Sequence, residues 1–307
     1  MVTSAEMKPI DGKPVAFSKG RNAVVSPDGM SLLSDIDGQI LFADGKISVF
    51  ATYEVKADVD NSTGNISVVG NVAIRGNVLA GFTVEAGGNV EVEGVVEGAT
   101  IRAGGDIILK RGMIGNNKGL LVAGGDIIAK YIENATLEAK GDIRSEAIMH
   151  SEIKCGGKLE LGGKKGLLVG GVARVGHEVE AKVIGSVMST VTVLEVGVDP
   201  HLRERLKFLR AEIPSMDENL VKANQAVALL KKMDSAASLT DDRREMLAKS
   251  TRAKYYYESR LIEYRKEMLD IEARLQQDAA GRIRVLGAAH NGVRVSIGRS
   301  EEHTSEL

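Results

Sequence analysis

The side chains able to do chemistry are few in this chain of 307 residues. Histidine occurs at positions 150, 177, 201, 290 and 303, and the single thiol is Cys155. A nucleophile needs a base beside it and a third group that orients the base. None of the histidines stands beside a serine or cysteine with a partner carboxylate at an evident spacing. No catalytic residue is therefore assigned. Cys155 ends the run Ser151-Glu-Ile-Lys-Cys155, at the place filled by alanine at Ala86, Ala103, Ala123 and Ala139. It reads as a small buried thiol rather than a nucleophile. His150 reads as a surface or ladder residue beside a turn. One cysteine excludes an intramolecular disulfide and a cysteine-rich metal site.

The next candidates are glycine-rich. Ala103 to Lys110 reads AGGDIILK, and Ala123 to Lys130 reads AGGDIIAK. A single glycine loop opening a helix can cradle a phosphate. Here the loop recurs and leads into an alternating apolar run each time, so it reads as a corner turned repeatedly, and no cofactor is assigned. The residue after the glycine forms a column of Asn71, Asn89, Asp106, Asp126 and Asp142, ending in Lys158. Aspartate-bearing turns bind calcium in some β-rolls. The nonapeptide of those rolls is missing, so the column reads as solvated turn carboxylates and no metal is assigned. Lys164-Lys165 and Arg243-Arg244 are too small for a nucleic-acid footprint.

The corners organise the chain. Gly70, Gly88, Gly105, Gly125, Gly141, Gly157 and Gly176 are spaced by 18, 17, 20, 16, 16 and 19 residues. Most units close with a second strand, such as Phe82–Ala86 or Ala135–Ala139. A period near 17 with two short strands is too short for helical repeats and fits one turn of a β-solenoid. The reading is mostly β, with about seven rungs over 57–198, on the order of 33 Å tall at roughly 4.8 Å per rung. Val84, Ile101, Val122, Leu137 and Ile153 are expected to stack as an internal ladder. The glycines are ascribed to positive φ or to close approach between layers.

Residues 1–56 carry Asp-Gly at 11-12, 28-29, 37-38 and 44-45, a hairpin signal. They are expected to form a β lead-in that covers the first rung. Asp199-Pro200 opens a helical region over 199–280, with Asp199 as N-cap and Pro200 in the first turn. Leu202, Leu206, Leu209, Ile213, Met216, Leu220, Ala223, Val227 and Leu230 step by 4 and 3, the seam of a coiled coil. Pro214 should kink this helix. After a polar break, Tyr257, Leu261, Tyr264, Met268, Ile271 and Leu275 step likewise, which predicts an antiparallel helical hairpin. Period two returns over 281–298 in strands expected to complete or cap the solenoid. The tail 299–307 resembles a translated sequencing adapter and is set aside as an artefact.

The net charge of −2 gives no pull toward nucleic acid or anionic membrane. Aromatics at 4% argue against base stacking. The absence of a long apolar run argues against membrane insertion and leaves a cytoplasmic location as the default.

The segments GNVAIRGNV (70–78), YIENATLEAKGDI (131–143), AKVIGS (181–186), LEVGVDP (194–200) and NGVRVSIG (291–298), in this order around the heptads, resemble the bacterial flagellar assembly protein A family. The resemblance spans roughly 10–298. It implies a right-handed parallel β-helix with an inserted coiled-coil hairpin. It further implies a cytoplasmic, non-enzymatic protein of flagellar assembly or placement, and a fragment that lacks a further N-terminal domain. Pro214 departs from the family's usual charged filling. A hexapeptide acyltransferase needs a strict six-residue period, and a polysaccharide lyase needs clustered Asp and Arg. Neither is present. The expected partner is protein of unknown identity. Self-association into a bactofilin-like polymer is the alternative, with a β-helical transferase or lyase behind it.

Overall fold

The computed structural model describes residues 17–36, 38–235, 240–277, 281–298 and 305–306. The expected Asp11-Gly12 hairpin signal, Asp37, residues 236–239 and most of the tail, His303 included, lie outside the described residues.

The centre of the molecule is a β-solenoid. Its chain makes three strand passes per turn, not two. The first face stacks 52–55, 71–74, 90–92, 107–109, 127–129, 143–145, 158–161, 178–181 and 282–285. The third face stacks 66–68, 83–86, 100–103, 119–123, 135–139, 151–155, 171–175, 192–196 and 293–297. The second face between them is short, with pairings such as Val95↔Gly112, Tyr131↔Ala147 and Ala147↔Leu167. Two or three residues per pass leave a weak period-two signal, which is why two strands per unit were expected. Nine layers follow from the two long faces, making about eight turns from first to last. The stack starts at Thr52 and ends with strands that follow the helices, so it extends beyond 57–198 at both ends.

All pairings between layers are parallel. Alternate side chains point inward and form vertical columns. On the first face Val72, Val90, Ile107, Ile127, Ile143, Leu159 and Val179 are buried. On the third face the column reads Ile66, Val84, Ile101, Leu121, Leu137 and Ile153. Leu121, not Val122, occupies the ladder, because Ala123 stands in register with Ala103 and fixes the alternation. Each inward residue touches like residues above and below, so burial is complete only inside the stack.

Before the stack, Ala23–Val25 pairs with Leu32–Ser34, and Gln39–Ala43 pairs with Lys46–Phe50, both antiparallel. Asp44 and Gly45 both have positive φ, the two-residue turn that Asp-Gly signals. Neither hairpin adds a strand to the first layer. The lead-in does touch it, with Gly38 packed against Gly70.

Two helices interrupt the solenoid between its eighth and ninth layers. Helix α1 spans Pro200–Ser235 and α2 spans Asp241–Gln277. Asp199 caps α1 by accepting from the His201 N–H at 2.9 Å. Pro214 lies inside α1, which continues past it. The ring removes one intrahelical bond without ending the helix. At about 1.5 Å per residue, 36 residues reach about 54 Å. Leu206, Leu209, Ile213, Met216, Leu261, Ile271 and Leu275 form one buried cluster, flanked by Leu202, Leu220, Tyr257, Tyr264 and Met268. Around it Arg205 grips Glu267 through two bonds, and Arg265 grips Asp217.

The arm starts and ends at one corner. A Cβ on Gly197 would lie 2.7 Å from the Gly281 nitrogen, so the two glycines touch. Val196 occupies the column of Ala103 and Cys155, while Ile283 follows Val179 in the column of Ile107. In other layers three residues make this passage, as Gly104, Gly105 and Asp106 do. Here 198–280 are inserted into that same corner.

Candidate interaction surfaces

The corner glycines do not need positive φ. None of the seven has it. Their hydrogens face the layer before. A Cβ on Gly105 would lie 2.0 Å from Asn89 Oδ1, and one on Gly125 would lie 2.1 Å from Asp106 Oδ1. Gly88, Gly141 and Gly157 meet the preceding Asn or Asp in the same way. Gly70 approaches the Ala51 carbonyl. Gly176 sits one place earlier than the spacing suggests: it follows Gly156, and His177 is the residue over Gly157. The positive φ needed to turn the chain falls at the corner between the second and third faces. There Gly81, Gly98, Asn134, His150, Gly170 and Ser189 are left-handed. His150 is thus an exposed turn residue.

The Asn/Asp column is a hydrogen-bond ladder. Asn71, Asn89, Asp106, Asp126 and Asp142 each offer Oδ1 to the backbone N–H one layer on, at 2.8–2.9 Å. These oxygens are occupied, so solvation alone does not describe them. Arg144 takes Oδ2 of Asp126 at 3.0 Å and of Asp142 at 2.7 Å. Among the described residues no group of three or more His, Cys, Asp or Glu is placed to hold a metal ion.

Cys155 is fully buried between Ala139 and Val175. Burial pushes its thiol up to about 12, against the ordinary thiol range. That is the opposite of what a nucleophile needs. An open groove of about 490 Å³ crosses the first face at Ile108, Ile128, Lys110, Lys130, Arg144 and Glu160. It holds no histidine and no cysteine, and Arg144 is committed to the corner carboxylates.

The arm is tied to the solenoid at its base. His201 Nε2 lies 2.9 Å from the Ala139 carbonyl. Lys154 bridges Glu204 of α1 at 2.7 Å and Glu138 of the third face at 3.0 Å. Its ammonium is held above the usual lysine value, chiefly by Glu204. Arg203 reaches Glu195 at 3.5 Å. As one of five scattered histidines, His201 carries no message in the sequence; only the folded corner brings it to the third face. The seam residues Leu202 to Leu220 and Tyr257 to Leu275 gather in one cluster, whereas the corner glycines line one edge of the solenoid.

The architecture is a nine-layer stack with a helical insertion in one corner. The family model described as the flagellar assembly protein A beta solenoid domain matches residues 51–306. The chain belongs to the flagellar assembly protein A family. The match begins beside the first strand of the stack at Thr52 and runs through the inserted helices into the ninth layer. Family membership suggests a role in flagellar assembly. No curated protein and no solved structure matches the chain. No helix among the described residues is long and apolar enough to cross a membrane.

Proposed function

We propose that this member of the flagellar assembly protein A family is a non-enzymatic cytoplasmic scaffold. In this reading the solenoid is a right-handed β-helix that serves as a rigid base. The inserted helices form an antiparallel coiled-coil hairpin that presents a surface to a protein partner. The observation that carries the reading is the insertion itself. An arm of about 54 Å leaves and re-enters one corner, and the long faces on either side of it keep unbroken parallel register, Glu178–Ala181 with Arg282–Val285 and Thr192–Val196 with Val293–Ile297. A fold that needed only a solenoid would close that corner with three residues.

The same geometry supplies the test. Removing 198–280 joins Gly197 to Gly281, so that Gly197, Gly281 and Arg282 separate Val196 from Ile283. That restores the spacing of the other corners. The expected result is a shortened protein whose strand signal in circular dichroism persists, in cells that have lost normal flagellar number or placement. Normal flagellation with the armless protein would overturn the assignment of the arm. Turnover of a substrate that disappears on a point mutation would overturn the non-enzymatic reading.

One observation favours a second reading, end-to-end polymerisation. Among the described residues, Thr52–Val55 and Arg282–Ala289 each pair on one side only. Unpaired parallel edges at both ends of a stack are templates for another stack. Open-ended growth in sedimentation velocity across a hundredfold concentration range would favour it over the capped scaffold.

A further inference from the structure

The side of α2 away from α1 carries its own apolar line. Tyr255, Ile262 and Leu269 recur every seven residues and are 65%, 71% and 64% exposed. A single exposed apolar residue is ordinary. Three at heptad spacing hold one line along a helix, as in a coiled-coil seam. The line lies opposite Tyr257, Leu261, Tyr264 and Met268, which pack toward α1. Ser259, small and exposed, stands between Tyr255 and Ile262, Lys266 stands between Ile262 and Leu269, and the exposed Ala273 follows Leu269.

We propose that this line is a dimer interface, on which α2 of a second copy of this chain lies antiparallel with the two-fold axis at Ile262. The proposal stands on the exposed line and its flanking charges, independently of the scaffold reading. A two-fold interface must be self-complementary. With Ile262 facing its own copy, Tyr255, seven residues before, faces Leu269 of the partner copy, seven residues after, and the contact occurs twice. On one flank Glu258 comes within one residue of level with Arg265 of the partner copy. On the other flank Tyr256, itself exposed, comes within two residues of level with Asp270. Each pairing is attractive and is also made twice. Arg265 is held by Asp217 of α1 at 2.7 Å and Glu258 lies 3.6 Å from Lys254, so the pair across the interface shares these partners rather than replacing them. Glu263 meets its own copy across the axis, and Arg260, 3.1 Å from Glu263, offsets that repulsion.

The test uses the whole chain. Cys155 is buried, so cysteines introduced on α2 report alone. Chains carrying Tyr255→Cys and Leu269→Cys are mixed and mildly oxidised. The expected product is a mixed disulfide dimer, formed in at least tenfold excess over dimer from either variant alone. A Tyr255→Cys dimer formed with itself would indicate parallel pairing and would overturn the proposal. No dimer in the mixture, with a monomer at every concentration in sedimentation velocity, would overturn it as well. Such a result would leave the line to a different protein. Ile262→Lys changes an exposed side chain and should keep the helical signal while abolishing the wild-type dimer. A dimer that survives Ile262→Lys would also overturn the proposal.

Discussion

The solenoid and the arm are stabilised in opposite ways. In the solenoid the strand pairings reach another layer, 16 to 21 residues away in sequence through the first eight layers, as Leu121↔Leu137 and Gly171↔Thr192 show, and about a hundred away across the inserted arm. Inward residues are sealed on all sides: Ile107, Leu137 and Ile143 have no exposure. In the arm the backbone bonds are local, and only a narrow seam is buried. Its outer charges form exposed pairs such as Arg205–Glu267 and Arg210–Glu272. Stacked layers stabilise their neighbours one by one, whereas two helices share a single interface. The proposed scaffold accordingly has a rigid base and a softer, removable extension.

The largest expected difference is in thiol reactivity. With the Cys155 thiol pushed up to about 12, its thiolate fraction at pH 8 is roughly a thousandfold below that of an unfolded chain. Native protein should resist an aromatic disulfide reagent and react at once in denaturant. Rapid reaction of the native form would mean that the sixth layer opens. Two truncations then compare the regions directly. Leu137→Ala and Leu209→Ala each remove a side chain with no exposure, and each should cost about 2–5 kcal/mol. The first should lower the thermal transition of the strand signal, and the second only that of the helical signal. If Leu209→Ala melts the strands, the arm is not separable.

Smaller effects follow at the corner and on the arm's surface. Gly125→Ala brings a Cβ to 2.1 Å from Asp106 Oδ1 and should cost about 1–3 kcal/mol in denaturant unfolding. An unchanged midpoint would mean that the ladder yields easily. Arg205→Ala should cost under about 1 kcal/mol, because the pair is well exposed. Hydrogen bonds from Arg205 lower the pKa of Glu267. A carboxylate with a lowered folded pKa stabilises above its unfolded pKa, and the gain is lost as pH falls through the folded value. The arm should therefore weaken slightly under acid, and Arg205→Ala should remove that dependence.

The solenoid was legible because its signal repeats. A glycine followed by Asn or Asp recurs near every 17 residues, and stacking demands that recurrence. The short second face was not legible, since passes such as 112–114 are too brief to show alternation. Ladder membership slipped at Leu121 because Leu120, Leu121 and Val122 are all apolar, and only pairing with Ile101 decides among them. The corner chemistry was half legible. The glycines were visible, but their cause is the Asn or Asp oxygen of the layer before, which the sequence places 15 to 19 residues away. The 4 and 3 steps pick out residues of both helices, among which Leu206, Leu209, Ile213, Met216, Leu261, Ile271 and Leu275 form one buried cluster. The line of Tyr255, Ile262 and Leu269 was hidden beside them, because exposure separates a second stripe from a first.

Hydrogen exchange on the intact chain tests the contrast between base and arm most directly. The account predicts that amides of the middle layers, at 101–103, 121–123, 137–139 and 153–155, exchange slowly and as one block. Amides of α1 and α2 should exchange earlier, and removal of 198–280 should leave the slow block unchanged. Fast exchange in the middle layers, or a slow block that vanishes with the arm, would contradict a rigid solenoid carrying a separable arm.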